Sequence, residues 1–452
     1  MTCTSSRQGT VRRGGRHYWL AFWVVLVTVC TGLSSGGCWS RKEVTELAWV
    51  STMAIDRGQK SGWYRVSSSL LNTRTAVGMT TATAVEPPEF VVSVEAPSIL
   101  EATRQTTAML GRRAFYVHCE VIVISEEVAR QGLRPIIDFL TRDRQFLQAK
   151  RLIIAKGKAS DILDVRGSVE ERVGRLIMTA LDSASVYGLA ESVTVGQFAE
   201  AASSPGIDPV LPVVERVSLE PQNVQRYSTS VPELSGATGQ TEQHSPSSAI
   251  MEGGTRRTVR VVGLAAFRND RLVGWFNDEE SFGLTALLRG LRNTPLTLTS
   301  PRVAVSLTGG PSKLRVKVSP DGNLEYTSEL AVDVSFLQVF GSLDLSRQEV
   351  HDLLMQQVAH EIQRRIDKAL SRAAELRVDP AGFGLALYRA NPKRWAQVQA
   401  GWRDRWPTVP VHYRVDIRSL KTGLAVDVPP VSTDDVPQQA ASRVIQRLEE
   451  PV

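Results

Sequence analysis

The chain has 452 residues, more than one core usually spans, and its 42% hydrophobic and 22% charged side chains are those of a folded protein. Its formal charge of +6 comes largely from residues 1–37, which hold four arginines and no acid, so the remainder carries 49 basic against 47 acidic side chains. That balance argues against a broad nucleic-acid-binding face.

The chain opens on Arg7, Arg12, Arg13 and Arg16, followed by an apolar run from Tyr18 to Leu33. The run fits the ~7–15 residues of an export signal and falls short of the ~20 wanted for a membrane span. Ser34, Ser35, Gly36 and Gly37 then open the backbone to a peptidase just before Cys38. A cysteine in that place suits a bacterial lipoprotein. Its thiol becomes the thioether to diacylglycerol, and its freed amine can be acylated. Ser35 stands three before the cysteine, where leucine is preferred. The expectation is a signal peptide over 1–37 and lipidation at Cys38, with an uncleaved N-terminal anchor as the alternative. Cys3 and Cys30 would leave with the leader, so Cys119 is the one remaining thiol and no disulfide framework is available.

Beyond the anchor, residues 46–56, 63–72 and 90–94 read as strands, with a Thr/Ala-rich loop over 73–88. Ser98 caps a helix to about Gly111, with Glu101 completing a capping box. Residues 117–125 form a buried strand, 126–141 an amphipathic helix and 152–155 a short strand. Residues 160–202 are helical with a break near Gly188. Asp208 to Glu215 reads as a Pro-limited edge strand. Residues 219–256 lose apolar periodicity and form a polar linker or long loop. After it, 258–267 and 271–276 pair through an Asn269-Asp270 turn, and Asp278 to Arg289 is a helix with an acidic first turn. Strands follow at 301–307, 313–319 and 324–340. The longest helix runs from Ser346, capped with Glu349, to about Arg377, its stripe formed by Val350, Leu354, Val358, Ile362, Ile366 and Leu370 and broadened by Leu353, Ala359, Ala369 and Ala373. Shorter helices at 383–388 and 392–402, a strand at 409–417 and a polar tail complete the chain. The fold class is α+β and multi-domain, each domain a β-sheet flanked by α-helices, with a long helix in the C-terminal half. The domains are 38–218, possibly two subdomains, and 257–425, followed by the tail at 426–452.

No residue set points to catalysis, a metal or a cofactor. His360-Glu361 begins like a zinc-binding HExxH, but Arg364 occupies the second histidine position. His118-Cys119, as strand neighbours, would face opposite ways and cannot act together. Gly382-Phe383-Gly384 lacks the third glycine of a dinucleotide fingerprint, and no P-loop or GxSxG is present. Arg142, Arg144, Lys150, Arg151, Lys156 and Lys158 form a basic patch, read as a solvated face or as a contact for anionic lipid. Trp395, Trp402 and Trp406 share one helical face and read as core.

Several blocks together carry a resemblance. The start GCWSRKEVTELAWVSTMAIDRG, the segment SILEATRQTTAMLGRRAFYVHCEVIVISEEVARQGLRPIIDFLTRD, the proline motif SSPGIDPVLPVVE, the block VVGLAAFRNDRLVGWFNDEESFGLTALLRG and the closing DPAGFGLALYRANPKRW occur in order. From about Cys38 to Leu424 the chain resembles the Ger(x)C spore germination lipoproteins, the C subunits of nutrient germinant receptors. It departs from them at Ser40, where Asp is common, at Ser35, and in the long 219–256 segment. The resemblance implies a non-enzymatic α+β body held by lipid on Cys38 at the outer face of the spore inner membrane. It also implies assembly with integral-membrane A-type and B-type receptor subunits. A lipid-anchored module that itself binds the nutrient germinant is the alternative.

Overall fold

The computed structural model describes residues 15–34, 46–72, 88–165, 172–219, 256–299, 302–340 and 347–421. The chain forms two compact units, Met1–Leu47 and Ala48–Val452. The first carries helix α1 (Gly15–Ser34). Its side chains from Trp19 to Val29 are all exposed. The apolar part, Trp19 to Leu33, is ~22 Å long at 1.5 Å per residue, short of a ~30 Å hydrocarbon layer. Among the described residues no helix is long and apolar enough to cross a membrane. Cys38 lies outside the described residues.

The second unit is built on two mixed sheets. The first holds β1 (Leu47–Arg57), β2 (Tyr64–Leu71), β3 (Glu89–Ala96), β4 (Arg113–Phe115), β5 (Val121–Ser125), β6 (Arg151–Ala155), β7 (Val210–Leu219), β8 (Arg256–Arg268) and β9 (Arg271–Phe276). The spatial order is β3-β2-β1-β5-β6-β7-β8-β9, with β4 also paired to β1. β1, β5, β6 and β7 run parallel and are flanked by antiparallel partners. Alternation along the strands divides the apolar side chains between two faces. Met53, Ile55, Ile122, Ile124 and Ile154 meet α2 (Ile99–Leu110), α3 (Glu126–Gln131), α4 (Arg134–Arg142) and α7 (Val195–Ser203). Ala54, Val121, Val123 and Ile153 face the other way, toward α5 (Ser160–Leu163) and α6 (Val173–Val186). Neither core contains a residue before Ala48.

The second sheet holds β10 (Leu291–Thr299), β11 (Arg302–Gly309), β12 (Lys313–Val318), β13 (Leu324–Val339) and β14 (Val411–Lys421). β13 is 16 residues long and pairs with β11 through its second half and β12 through its first. Gly309-Gly310-Pro311 thus breaks a line of chain lying along one edge of β13. β14 joins β13 in parallel. Val303, Val305, Val332 and Val334 turn inward onto α8 (Asp278–Leu288) and the 28-residue α9 (Gln348–Glu375). The inward stripe of α9 is Leu354, Val358, Ile362, Ile366, Ala369, Leu370 and Ala373.

The structure revises several expectations. Asp208–Glu215 is not an edge strand: β7 sits between β6 and β8, and Pro212 is accommodated where the register shifts at a bulge. The helix expected over 126–141 breaks at Gly132 (φ +122), where the Leu133 N–H leaves to bond the Asp270 carbonyl. The long helix starts at Gln348 behind Arg347, with no side-chain cap, and Ser346 lies outside the described residues. β10 was not expected at all. Residues 219 and 256 end β7 and begin β8, which pair directly, so the polar segment joins neighbouring strands of one sheet. Ser98, by contrast, accepts the Glu101 N–H as a cap should, and Asn269 turns the β8–β9 hairpin at φ +57.

Candidate functional site

The side chains singled out for chemistry are engaged with one another or dispersed. Arg364 holds Glu361 and Glu279, each at 2.7 Å, so the incomplete HExxH is part of an ion-pair network. His118 and Cys119 lie on a turn ahead of β5 and not on the strand itself. Cys119 is fully buried, and burial pushes its thiol up to about 12. Among the described residues no group of three His, Cys, Asp or Glu could hold a metal ion. The basic patch divides, because Arg151 begins β6 while Lys156 and Lys158 follow its far end. Lys150 is buried, its ammonium donating to the Val117 carbonyl. The three tryptophans are core, as expected, but they reach it from three elements. Trp395 lies on α11 (Pro392–Val398), Trp402 on α12 (Trp402–Arg405) and Trp406 on a 3₁₀ turn, with Gly401 (φ +87) separating the first two.

The most structured polar site joins two motifs far apart in sequence. Asp208-Pro209 leads into β7, and Asp379-Pro380 precedes α10 (Phe383–Ala390). Both aspartates are buried. Asp208 N–H donates to the Asp379 carbonyl at 2.9 Å, and Asp379 N–H donates to the Asp208 carboxylate at 2.9 Å. Arg403 donates to Asp208 through Nη2 (2.7 Å) and Nε (3.1 Å), and Nη2 also reaches the Asn269 side-chain oxygen at 2.8 Å. The Asp379 carboxylate accepts the N–H groups of Gly382 (2.8 Å), Phe383 (3.0 Å) and Gly384 (2.8 Å), and the Trp402 indole N–H at 2.9 Å. The N–H groups that a phosphate would take at the start of α10 are therefore filled from within.

Close packing completes this clasp. Gly206 holds φ +71, and its carbonyl accepts the Leu385 N–H at 2.8 Å. A methyl group on Gly384 would stand 2.7 Å from Gly206 Cα and 2.6 Å from Trp402 Nε1, so both glycines are there for lack of room. Tyr326 donates its hydroxyl to the Phe383 carbonyl at 2.9 Å, and the Phe383 ring stacks on Trp406. Burial pushes the Asp379 carboxyl up to about 6, against the pull of its four donors. Hydrogen bonding to Asp208 raises Arg403 above its ordinary value. A cleft of about 420 Å³ opens over the clasp, lined by Arg268, Arg377, Trp395, Trp402 and Arg403 among others. Its carboxylates already accept several bonds each, so the arrangement serves rigid attachment better than reaction. Sequence reasoning missed it. The available signal was the repeated Asp-Pro step, each beside a glycine held in a special conformation.

A second cavity, about 580 Å³, lies at the carboxyl ends of β1, β5 and β6. Its arginines are matched: Arg57 with Glu127 (2.8 Å), Arg65 with Glu95 (2.9 Å) and Arg130 with Glu126 (2.7 Å), and Lys158 also lines it. Asp56 is taken up by the N–H groups of Ala159 and Ser160 at the start of α5.

Comparison with known proteins places this architecture. Residues 40–216 match the family described as "Spore germination protein N-terminal domain", and residues 262–423 match "Spore germination B3/GerAC like, C-terminal". The chain is 24% identical over 399 residues to spore germination protein KC of Bacillus subtilis, covering 86% of this chain and 92% of that protein. It is 22% identical to the putative spore germination protein YfkR of the same organism, covering 88% and 96%. The crystal structure of the GerBC protein superposes with a TM-score of 0.42 at 15% identity, covering 82% of this chain and 96% of that one. The two matched regions hold the two halves of the clasp, Asp208 in the first and Asp379 in the second. The chain belongs to the GerAC/GerBC-like family of spore germination proteins, the C subunits of germinant receptors.

Proposed function

We propose that the protein is a lipid-anchored, non-enzymatic subunit of a spore germinant receptor, needed for nutrient-triggered germination. It is tethered through Cys38 to the outer face of the spore inner membrane beside integral-membrane A-type and B-type subunits. The observation that carries this reading is the position of the family match. It begins at residue 40, two residues after the cysteine, and leaves the arginine-led apolar leader outside it. Domains at 38–218 and 257–425 belong to the same proposal. Mass spectrometry of the protein extracted from spore membranes should find an N-terminal peptide starting at Cys38 and carrying acyl chains. Cys38→Ala should release the protein from the membrane and block the response to nutrients. A normal response from an unacylated protein would sink the anchor.

The cleft over the clasp favours a second reading, because residues 202–208 of the N-terminal half line it together with tryptophans and arginines of the C-terminal half, as a germinant-binding module would require. Saturable binding of a nutrient by the isolated body, lost in Arg377→Ala, is the result that reading expects.

A further inference from the structure

The arginines at the two ends of the first sheet are held differently. β1 and β3 are both antiparallel to β2, and β5 and β6 run with β1, so all four begin at the same end. α6 also starts there, its Val173 N–H donating to the Glu89 carboxylate at 3.2 Å. At the far end, Arg57, Arg65 and Arg130 each hold a carboxylate. At the beginning end, Arg113, Arg151, Arg172 and Arg175 form no ion pair among the described residues, and Arg113, Arg172 and Arg175 are exposed. Arg151, Arg172 and Arg175 line a depression of about 550 Å³ together with Trp49, His118 and Leu147. Trp49 is only partly covered by His118 and Phe115, ring centroids 4.7 and 5.4 Å away. Leu147 is 54% exposed. The acids on this edge, Glu46, Glu89, Glu120 and Asp143, form no ion pair with these arginines among the described residues.

We infer that this end of the sheet is a membrane-docking face that rests on anionic phospholipid headgroups. Its arginines would meet the lipid phosphates, and Trp49 and Leu147 would enter the interface. The inference rests on the lipid-anchor reading. Leu47, the first residue of β1, lies nine residues along the chain from Cys38. At ~3.4 Å each they reach at most ~30 Å, so an acyl chain on Cys38 holds this end of β1 close to the bilayer. Arginines with no ion pair among the described residues, beside half-exposed aromatic and aliphatic groups, are what an anionic interface selects, each basic group there adding ~1 kcal/mol of attraction.

The test uses the leaderless, unacylated chain 39–452, whose two cores contain no residue before Ala48. Flotation is measured with vesicles of phosphatidylcholine alone and with phosphatidylglycerol added. The expected result is binding only to the anionic vesicles, weakened by salt. Combined Arg151→Glu, Arg172→Glu and Arg175→Glu should reduce binding on the order of a hundredfold, with circular dichroism unchanged. Lys158→Glu at the opposite end should have no effect. Equal binding of parent and triple variant overturns the inference. So does a parent that binds neither vesicle while the triple variant loses co-purification with the membrane subunits, which would assign the face to a protein. No acyl group is present in this assay, so a failed anchor at Cys38 and a failed docking face give separate results.

Discussion

Asp379→Ala lowers the unfolding free energy by about 4 kcal/mol, the scale expected when a buried charged acceptor is removed and its donors are left without a partner. Four N–H groups lose that partner, and the reciprocal bond with Asp208 loses its rigid seat. Asp379→Asn recovers only part of the loss, because an amide NH₂ faces donors where the carboxylate offered a second oxygen. Urea denaturation monitored by tryptophan fluorescence reads the effect directly, since Trp402 is one of the donors. A loss below about 1 kcal/mol would show that these donors find other acceptors.

The same residue gives the clasp a pH dependence of unusual sign. The folded carboxyl titrates at about 6, against about 3.9 for an exposed aspartate. Between these values the folded state keeps a proton that the unfolded chain has released. The contribution is therefore full below about pH 4 and is lost as pH rises through about 6. Glu279 runs the opposite way. Hydrogen bonds from Arg364 and Lys368 hold it down at about 2, so its contribution is present above about 4.3 and fades as pH falls toward 2. Its exposure keeps that effect small. The stability gap between parent and Asp379→Ala should narrow from pH 4.5 to pH 7. A gap that widens would mean the four donors outweigh burial.

Gly283→Ala is expected to cost about 3 kcal/mol, at the upper end of what overpacking usually does. Gly283 lies where α8 crosses α9, and an added methyl group would stand 2.5 Å from the Arg365 carbonyl carbon and 2.8 Å from the Ile366 nitrogen. Those are backbone atoms, which cannot rotate away as a side chain would. The helices would have to separate, weakening the Glu279–Arg364 and Glu279–Lys368 pairs that tie them. Amide exchange along α9 should quicken over residues 361–369 before global unfolding. Unchanged protection there, with a fully folded variant, would show that the crossing adjusts freely.

Much of the fold was legible because local patterns and tertiary demands agreed. The every-fourth-residue stripe of α9 is buried from Leu354 to Leu370, while Val350 is half-buried and Leu353 exposed, and the Asn269-Asp270 turn fell where its chemistry placed it. The misreadings came where distant chain decided the outcome. Pro212 read as an edge signal, yet β8, which follows the polar segment, covers that side of β7 and absorbs the proline in a bulge. Gly132 gave no sign that Asp270 would take the next N–H and split a helix. The clasp was the least visible, because Asp379 looks like an ordinary helix cap until Asp208, 171 residues away, is seen to share it.

The pairing of β7 with β8 has a consequence for synthesis. Translation at ~5–20 residues per second takes on the order of three to ten seconds to pass from Leu219 to Phe276. During that interval a nascent sheet ends in a hydrophobic strand whose outer amides have nothing to bind, which invites adhesion between neighbouring copies. A holdase that shields unfinished chains, or delayed collapse until after export, would be the cell's remedy. Ribosomal pausing after residue 276 would be harmless, whereas pausing before residue 256 would not.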